Sequence, residues 1–327
     1  MKYRLLSLLL VSSLLTACGN AVNVAREPTL TASAPPPATA TVTSTPTITP
    51  TFTVSPSPTT TRVVQGPDAV VIPILLYHRI AVSPIDSQYY VPPEKFEAQM
   101  KLLRDWEYTV IPIELLVKAI QEGAELPPRP VVITFDDGDI SVYTTAFPIM
   151  QKYGLTGVAY IVGNYMNTDG YMSAEQIKEL AAAGWEIGSH SRSHRELPKL
   201  PPQVQREEIV QARIDLQEAT GAPVTTFAYP FGLMNNAVGS YVHFAGYVAA
   251  MGLGFTSDQG SSNLYWLQRR DVKGQYDTKQ FAAFLPWQGD PAFLPTDTPT
   301  PTPTASRTPI PTYTQYAASA SAQTVMP

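Results

Sequence analysis

The middle of the chain alternates short apolar runs with longer segments in which apolar residues recur at helical spacing. Strands of a parallel sheet are apolar on both faces, whereas a surface helix has one apolar stripe. The pattern predicts strands at 70–78, 108–111, 131–135, 157–162, 185–190, 224–229, 247–251 and 264–272. It predicts helices at 92–105, 113–121, 143–153, 173–184, 203–219, 236–244 and 278–285. Strands that alternate with helices in this way pair in parallel through right-handed crossovers.

Two α/β architectures fit this order, an open doubly wound sheet and a (β/α) barrel. Polar residues occupy the C-terminal ends of several predicted strands; they are His78, Asp136, Asp137, His190 and Arg269. An open sheet would gather such residues at one crevice near a switch in strand order, whereas a barrel distributes them around its C-terminal rim. We therefore predict the barrel.

Two carboxylates, Asp136 and Asp137, directly follow the apolar strand at 131–135, and Gly138 comes next. Side chains alternate along a strand, so both carboxylates can share one site only where the strand ends. Gly138 supplies the turn that this requires. The same tripeptide is common in ordinary turns, so its meaning depends on the rest of the chain.

Two of the four histidines in the chain, His190 and His194, lie together at the end of another strand. If the chain turns helically after Gly188, both imidazoles face the same way. A pair of surface histidines is the alternative. With one carboxylate, the pair would form a two-His, one-Asp site for a divalent metal ion with open positions for hydrolysis. Such ligands suit zinc, and also cobalt, nickel, iron or manganese.

Three motifs follow one another along this region. They are Thr-Phe-Asp-Asp-Gly at 134–138, His-Ser-Arg-Ser-His at 190–194 and Phe-Ala-Tyr-Pro-Phe-Gly at 227–232. In this order they resemble the leading motifs of the polysaccharide deacetylase family, also called the NodB-homology or carbohydrate esterase family 4 domain. The resemblance spans most of residues 70–285. It implies a distorted (β/α) barrel and a metal-dependent enzyme that removes N-acetyl groups from a polysaccharide.

The resemblance also implies a role for each motif residue. Asp136 is the expected general base, and Asp137, His190 and His194 are the expected ligands of one divalent metal ion, zinc foremost. The metal would bind a water and the acetyl oxygen, and the base would take the proton of the water as it attacks. The backbone N–H of Phe231 matches the position of an oxyanion donor.

The acid that protonates the leaving amine departs from the commonest family pattern, which has a histidine in a late Leu-x-x-His-type motif. No histidine follows His243, so the acid is His78 or His243. We prefer His78, because the segment Leu-Leu-Tyr-His-Arg-Ile at 75–80 resembles the Tyr-His motif of a particular subgroup. That subgroup deacetylates poly-β-1,6-N-acetylglucosamine, a biofilm polysaccharide.

A second departure is Ala228, where many family members carry an arginine that steadies the catalytic aspartate. Arg269 lies in a segment that resembles a late family motif, and we expect it to hold Asp136 in its ionised form. A register shift of one residue would give this role to Arg270 instead.

Composition changes at both ends of the chain. A short basic and apolar segment leads to Cys18 in a context that resembles a bacterial lipoprotein processing site, although an ordinary signal peptide is the alternative. We expect a lipoprotein-type signal at 1–18 with Cys18 as the anchor, a Thr/Pro-rich linker at 19–67, the polysaccharide deacetylase domain at 68–290 and a Thr/Pro-rich disordered tail at 291–327. The protein would then be exported and held at the cell surface or periplasmic face.

The formal net charge of −5 argues against a nucleic-acid partner, which requires a clustered basic face. We expect a monomer that acts on N-acetylglucosamine units, with a β-1,6 polymer preferred and β-1,4 chitin or peptidoglycan as the alternative. A glycoside hydrolase needs two carboxylates roughly 5 to 9 Å apart on either side of one bond, a placement that the adjacent Asp136 and Asp137 do not readily give. It would also leave the histidines without a role, so this class of enzyme is disfavoured. A carbohydrate-binding module would not need the base and the ligand set.

Overall fold

Strands and helices alternate through the computed structural model, which describes residues 62–289. The strands are β1 (Val63–Gln65), β2 (Ala69–Val71), β3 (Ile74–Tyr77), β4 (Thr109–Val110), β5 (Ala124–Leu126), β6 (Pro130–Phe135), β7 (Val158–Ile161), β8 (Glu186–Ser189), β9 (Val224–Ala228), β10 (Ala249–Met251), β11 (Asp258–Gly260) and β12 (Arg270–Asp271). The helices are α1 (Pro93–Asp105), α2 (Ile113–Glu122), α3 (Phe147–Lys152), α4 (Ala174–Ala182), α5 (Pro202–Arg206), α6 (Ala212–Thr220), α7 (Asn236–Phe244) and α8 (Thr278–Ala282).

The main sheet is parallel and has the order β10-β9-β8-β7-β6-β3-β12, with β4 added beside β6. Its two edges are bridged by one segment: Leu267 pairs with Met251 of β10, and β12 pairs with β3. The N–H of Leu267 donates to the carbonyl of Ala250 at 2.8 Å, and the N–H of Gly252 donates to the carbonyl of Leu267 at 2.9 Å. The sheet therefore curls into a distorted (β/α) barrel, as predicted, and is not an open doubly wound sheet.

Several predicted strands lose a residue or two at their ends, and two differ more from the structure. The stretch 70–78 divides at Pro73, which has no N–H to continue a ladder, so that β2 pairs with β11 while β3 joins the barrel. In 264–272 only β12 pairs as a strand, because the N–H of Trp266 closes a turn onto the carbonyl of Asn263 at 2.7 Å.

Two hydrophobic clusters separate along the barrel strands. Leu75, Ile133 and Ala159 pack in one cluster with α1, and their neighbours Ile74, Val132 and Val158 pack in the other with α2. This alternation follows from the two-residue period of a strand that is covered on both faces. The barrel rim, where the strands end, is thereby held by packing on both sides.

The predicted boundary at the N-terminal side of the domain differs from the structure. β1 lies within 19–67, which we assigned to the linker, yet it pairs antiparallel with β5 and so belongs with the folded part. The signal segment, Cys18, most of the linker and the tail from residue 290 lie outside the described residues, and the expectations for them stay predictions. Within 62–289, no helix has the length and apolar character needed to cross a bilayer.

Candidate active site

Asp136 and Asp137 leave the C-terminal end of β6 in a sharp turn. Asp137 has a φ of 74° and Gly138 a φ of 80°, so the chain is left-handed immediately after the strand. Aspartate is among the residues that tolerate this conformation, and glycine adopts it freely. Both carboxylates consequently line one cleft of about 290 Å³ at the barrel rim.

Arg269 holds Asp136 in a paired, two-point contact. Its Nη1 and Nη2 each donate to one carboxylate oxygen at 2.7 Å, and its Nε donates to the carbonyl of Gly252 at 3.1 Å. Burial opposes ionisation of Asp136, but the opposite charges, Arg269 first, outweigh it and lower the pKa to about 2. Of the two arginines considered from the sequence, the structure places Arg269 against Asp136.

Asp137, His190 and His194 form a group that could hold a metal ion, with one donor atom from each residue and all three within 4.8 Å of one another. The Oδ1 of Asp137 lies 3.7 Å from Nε2 of His190 and 3.4 Å from Nε2 of His194. The Nδ1 of His190 donates to the carbonyl of Ala228 at 2.8 Å. This bond leaves the lone pair on Nε2, the usual arrangement for a metal-binding histidine, and the residues therefore fit a divalent ion.

The backbone from 190 to 194 is a loop, so the expectation of a helical turn after Gly188 is wrong. Ser191 and His194 have φ values of 64° and 55°, which a helix does not permit. The N–H of His194 instead donates to Oγ of Ser191 at 3.0 Å. The two imidazoles nevertheless converge, with ring centroids 4.8 Å apart.

A carboxylate from the following helical region shapes this loop. Glu208 accepts the N–H of Arg192 at 3.1 Å, the N–H of Ser193 at 2.8 Å and the hydroxyl of Ser193. Glu208 is buried and lies in a π-helical turn, Glu207–Gln211, between α5 and α6. Glu208 was not predicted from the sequence, because helical periodicity does not reveal a contact with a loop 15 residues earlier.

His78 lies at the end of β3 and lines the same cleft as the two aspartates. Its Nδ1 is 4.0 Å from Oδ1 of Asp271, and its ring centroid is 4.8 Å from that of Tyr89. Burial lowers the pKa of His78, an effect that Asp136, Asp137 and Asp271 partly offset. Asp271, whose own pKa is raised by burial, was also missed by the sequence analysis.

His243 lies elsewhere. It belongs to α7, and its Nδ1 is 2.7 Å from the hydroxyl of Tyr265. It does not line the cleft that contains Asp136, whereas His78 does. Of the two histidines left open by the sequence, the structure brings only His78 to the candidate site.

Phe231 lines the cleft in the turn that follows β9. Its φ of 58° and ψ of 10° are left-handed, and its side chain is 55% exposed. The ring lies 4.6 Å from that of His194, centroid to centroid. The structure thus brings Phe231 beside the candidate ligands, and the role of its backbone N–H stays a prediction.

Arg79 is a further residue that the sequence analysis missed, although it directly follows His78. Its Nη1 lies 3.4 Å from Oδ2 of Asp137, and its Nε lies 3.0 Å from Oδ2 of Asp139. Because Arg79 engages Oδ2, the other oxygen of Asp137 remains directed at the two histidines.

Comparison with known proteins identifies the class. The family model described as polysaccharide deacetylase matches residues 123–250. YxkH of Bacillus subtilis strain 168, which is named as a member of this family, is 31% identical over 219 residues, or 65% of this chain and 76% of YxkH. The chain belongs to the polysaccharide deacetylase family, whose members are hydrolases.

Other relatives are consistent with this membership. Poly-β-1,6-N-acetyl-D-glucosamine N-deacetylase of Staphylococcus aureus strain N315 is 25% identical over 195 residues, covering 55% of this chain and 67% of the relative. The crystal structure of the polysaccharide deacetylase BC0361 from Bacillus cereus has 27% identity and a TM-score of 0.60, over 66% of this chain and 69% of that one. The structure of IcaB from Ammonifex degensii has 26% identity and a TM-score of 0.56, over 67% and 97% of the chains.

Proposed function

We propose that this protein removes N-acetyl groups, with a divalent metal ion, from N-acetylglucosamine units of an extracellular or cell-wall polysaccharide. One observation carries the proposal: a single cleft contains Asp136, paired with Arg269, beside the candidate ligands Asp137, His190 and His194. Metal-assisted hydrolysis of an amide needs this combination of a base and a ligand set with open positions.

Asp137, His190 and His194 would hold the ion, with zinc the foremost candidate and cobalt, nickel, iron or manganese the alternatives. When bound, such an ion lowers the pKa of a coordinated water to about 7 and polarises a carbonyl oxygen. Asp136, with a pKa of about 2, stays ionised at neutral pH and can accept the proton of the attacking water. An aspartate of this low pKa is a weak base, so it depends on a water whose acidity has been raised.

The departing amine needs a proton, and His78 is the histidine that lines this cleft. In our proposal the imidazolium of His78 donates that proton, while the backbone N–H of Phe231 stabilises the negative oxygen that develops on the acetyl carbonyl. Both residues approach the cleft from strand ends on opposite sides of β6 in the sheet order.

For the substrate we favour a β-1,6-linked N-acetylglucosamine polymer. The Tyr-His motif at 77–78 and the similarity to the Staphylococcus aureus enzyme support this choice. Chitin-type and peptidoglycan β-1,4 polymers are the second candidate. We further propose attachment to a membrane through a lipid on Cys18; Cys18→Ala protein that still sediments with membranes would refute this attachment.

Acetate release tests the proposal. The protein is treated with a chelator, reloaded with zinc or cobalt, and incubated with β-1,6-linked and β-1,4-linked N-acetylglucosamine oligomers of equal length. We expect metal-dependent release, faster from the β-1,6 oligomers. Release from the β-1,4 oligomers alone would reverse the choice of linkage. Binding of either oligomer by metal-loaded protein without any release would instead support a carbohydrate-binding module.

A further inference from the structure

Arg270 has no part in the site described above, although it is the neighbour of Arg269. Adjacent residues of a strand face opposite sides, so Arg270 points away from Asp136. Its guanidinium lies over the ring of Phe284, 5.3 Å from the centroid. Its Nε is buried and has no hydrogen-bond partner within residues 62–289. Because the protein itself covers Nε, the two Nη groups are the donors of Arg270 that a ligand in an adjoining cleft would reach.

Arg270 lines a second cleft, of about 330 Å³. This second cleft adjoins the cleft at the barrel rim that contains Asp136, which we call the catalytic cleft. Three residues line both clefts; they are Leu253, Arg269 and Asp271. The remaining lining residues are Gly254, Phe255, Lys273, Tyr276 and Phe284. A polymer whose acetylated unit occupies the catalytic cleft can therefore extend a neighbouring unit into the second cleft.

The charges along the second cleft do not balance. Arg269 is neutralised by its two bonds to Asp136, and the one carboxylate of the lining, Asp271, is directed toward His78. Arg270 and Lys273 contribute two further positive charges, of which the carboxylate of Asp271, whose charge also acts on Lys273, offsets one. The Nζ of Lys273 donates to Oε1 of Gln88 at 2.9 Å and has two hydrogens left for a ligand. Such a cationic cleft is unexpected in a protein with a net charge of −5.

The aromatic residues of the second cleft offer a surface for the ring of a sugar that carries a negatively charged substituent. Phe255 is 88% exposed, and Tyr276 lines the same cleft, so a flat apolar surface lies beside the two cations. A guanidinium forms paired hydrogen bonds with the two oxygens of a carboxylate or phosphate, which a neutral hydroxyl cannot match.

We propose that the second cleft binds an anionic substituent, a carboxylate or a phosphate, on a sugar next to the one being deacetylated. The proposal rests on the proposed deacetylase function and makes Arg270 and Lys273 determinants of specificity. The same cations would repel a neighbouring sugar whose amine has already been exposed. The enzyme would thus select acetylated polymers that bear negative charges.

The test compares kcat/KM for three oligomers of equal length: unsubstituted N-acetylglucosamine, the same oligomer with a carboxylate ether on alternate sugars, and one with a phosphate ester there. Two double variants are measured beside the wild type. Arg270→Gln/Lys273→Gln removes the proposed anion ligands. Lys118→Gln/Lys178→Gln removes two exposed charges on α2 and α4 and is the matched control. Lys273→Gln alone is included in case loss of Arg270 weakens packing against Phe284.

We expect the wild type and the control to prefer an anionic oligomer about tenfold over the neutral one through a lower KM. The Arg270→Gln/Lys273→Gln variant should lose this preference, and Lys273→Gln should reduce it. Preference for the carboxylate or for the phosphate oligomer would identify the source of the charge. Equal use of all three oligomers by the wild type, or an equal preference in both double variants, would overturn the proposal.

Failure of the proposed deacetylase function can be distinguished from failure of the second-cleft proposal. If no oligomer releases acetate, calorimetric titration of the same oligomers into the same proteins still measures the preference. Tighter binding of an anionic oligomer that depends on Arg270 and Lys273 would support the second cleft without the deacetylase. Equal binding of neutral and anionic oligomers would refute it.

Discussion

Asp136 and Arg269 lie 133 positions apart in the sequence, yet they share two hydrogen bonds in the buried centre of the site. Family resemblance was enough to expect this pair despite Ala228 at the usual arginine position. It favoured Arg269 but left Arg270 as the alternative, because a pattern of apolar residues does not specify register to a single step in so short a strand. In the structure, the segment that bridges the two edges of the sheet places Arg269, and not Arg270, against Asp136.

Asp271→Asn should move the alkaline limit of turnover to lower pH. The negative charge of Asp271 raises the pKa of His78, against the larger opposing effect of burial. Without that charge His78 loses its proton at a lower pH, and a general acid must be protonated to act. The pH profile of kcat for acetate release measures the limit. Asp258→Asn, exposed on β11, is the control and should leave the limit in place. An unchanged limit in Asp271→Asn would refute the acid role of His78.

At the scale of elements, the site is an outcome of strand ends that periodicity could predict and of loops that it could not. The ends of β3, β6 and β8 were predicted well, so His78, the aspartates and His190 were expected at one rim. The conformation of the loop at 190–194 was not predicted, since Ser191 and His194 adopt left-handed backbone angles although neither is a glycine, the residue that usually indicates this conformation. Glu208 supplies the missing stabilisation from a different element.

Glu208→Gln should weaken metal binding about tenfold, because the carboxylate holds the loop that positions His190 and His194. It should also lower the free energy of unfolding by about 1 to 3 kcal/mol through loss of charged acceptors for backbone N–H groups. A competing chelator measures the metal affinity, and thermal or urea unfolding measures the stability. Glu218→Gln, exposed on α6, is the control. An unchanged metal affinity in Glu208→Gln would contradict the positioning role.

At the scale of the molecule, alternation of strands and helices predicted a parallel α/β fold, and the polar residues at several strand ends favoured the barrel over an open sheet, while the closure of the barrel was not apparent. The predicted strand 264–272 contributes one bridge at Leu267 and the short β12, and this irregular segment delivers both Arg269 and Asp271 to the rim. Contacts such as those of Arg79 and Glu208 depend on how distant segments meet, which no local pattern contains. The predictions for the signal segment, linker and tail are compositional and stay untested.

The most direct test of the account measures bound metal and acetate release in the same preparations of wild-type, Asp137→Ala and Asp136→Asn protein. We predict about one metal ion per chain and release for the wild type, and loss of both in Asp137→Ala. Asp136→Asn should keep the metal and lose at least about a hundredfold in turnover, since it removes the general base. Release by metal-free wild-type protein, or turnover near the wild-type rate in Asp136→Asn, would contradict the account.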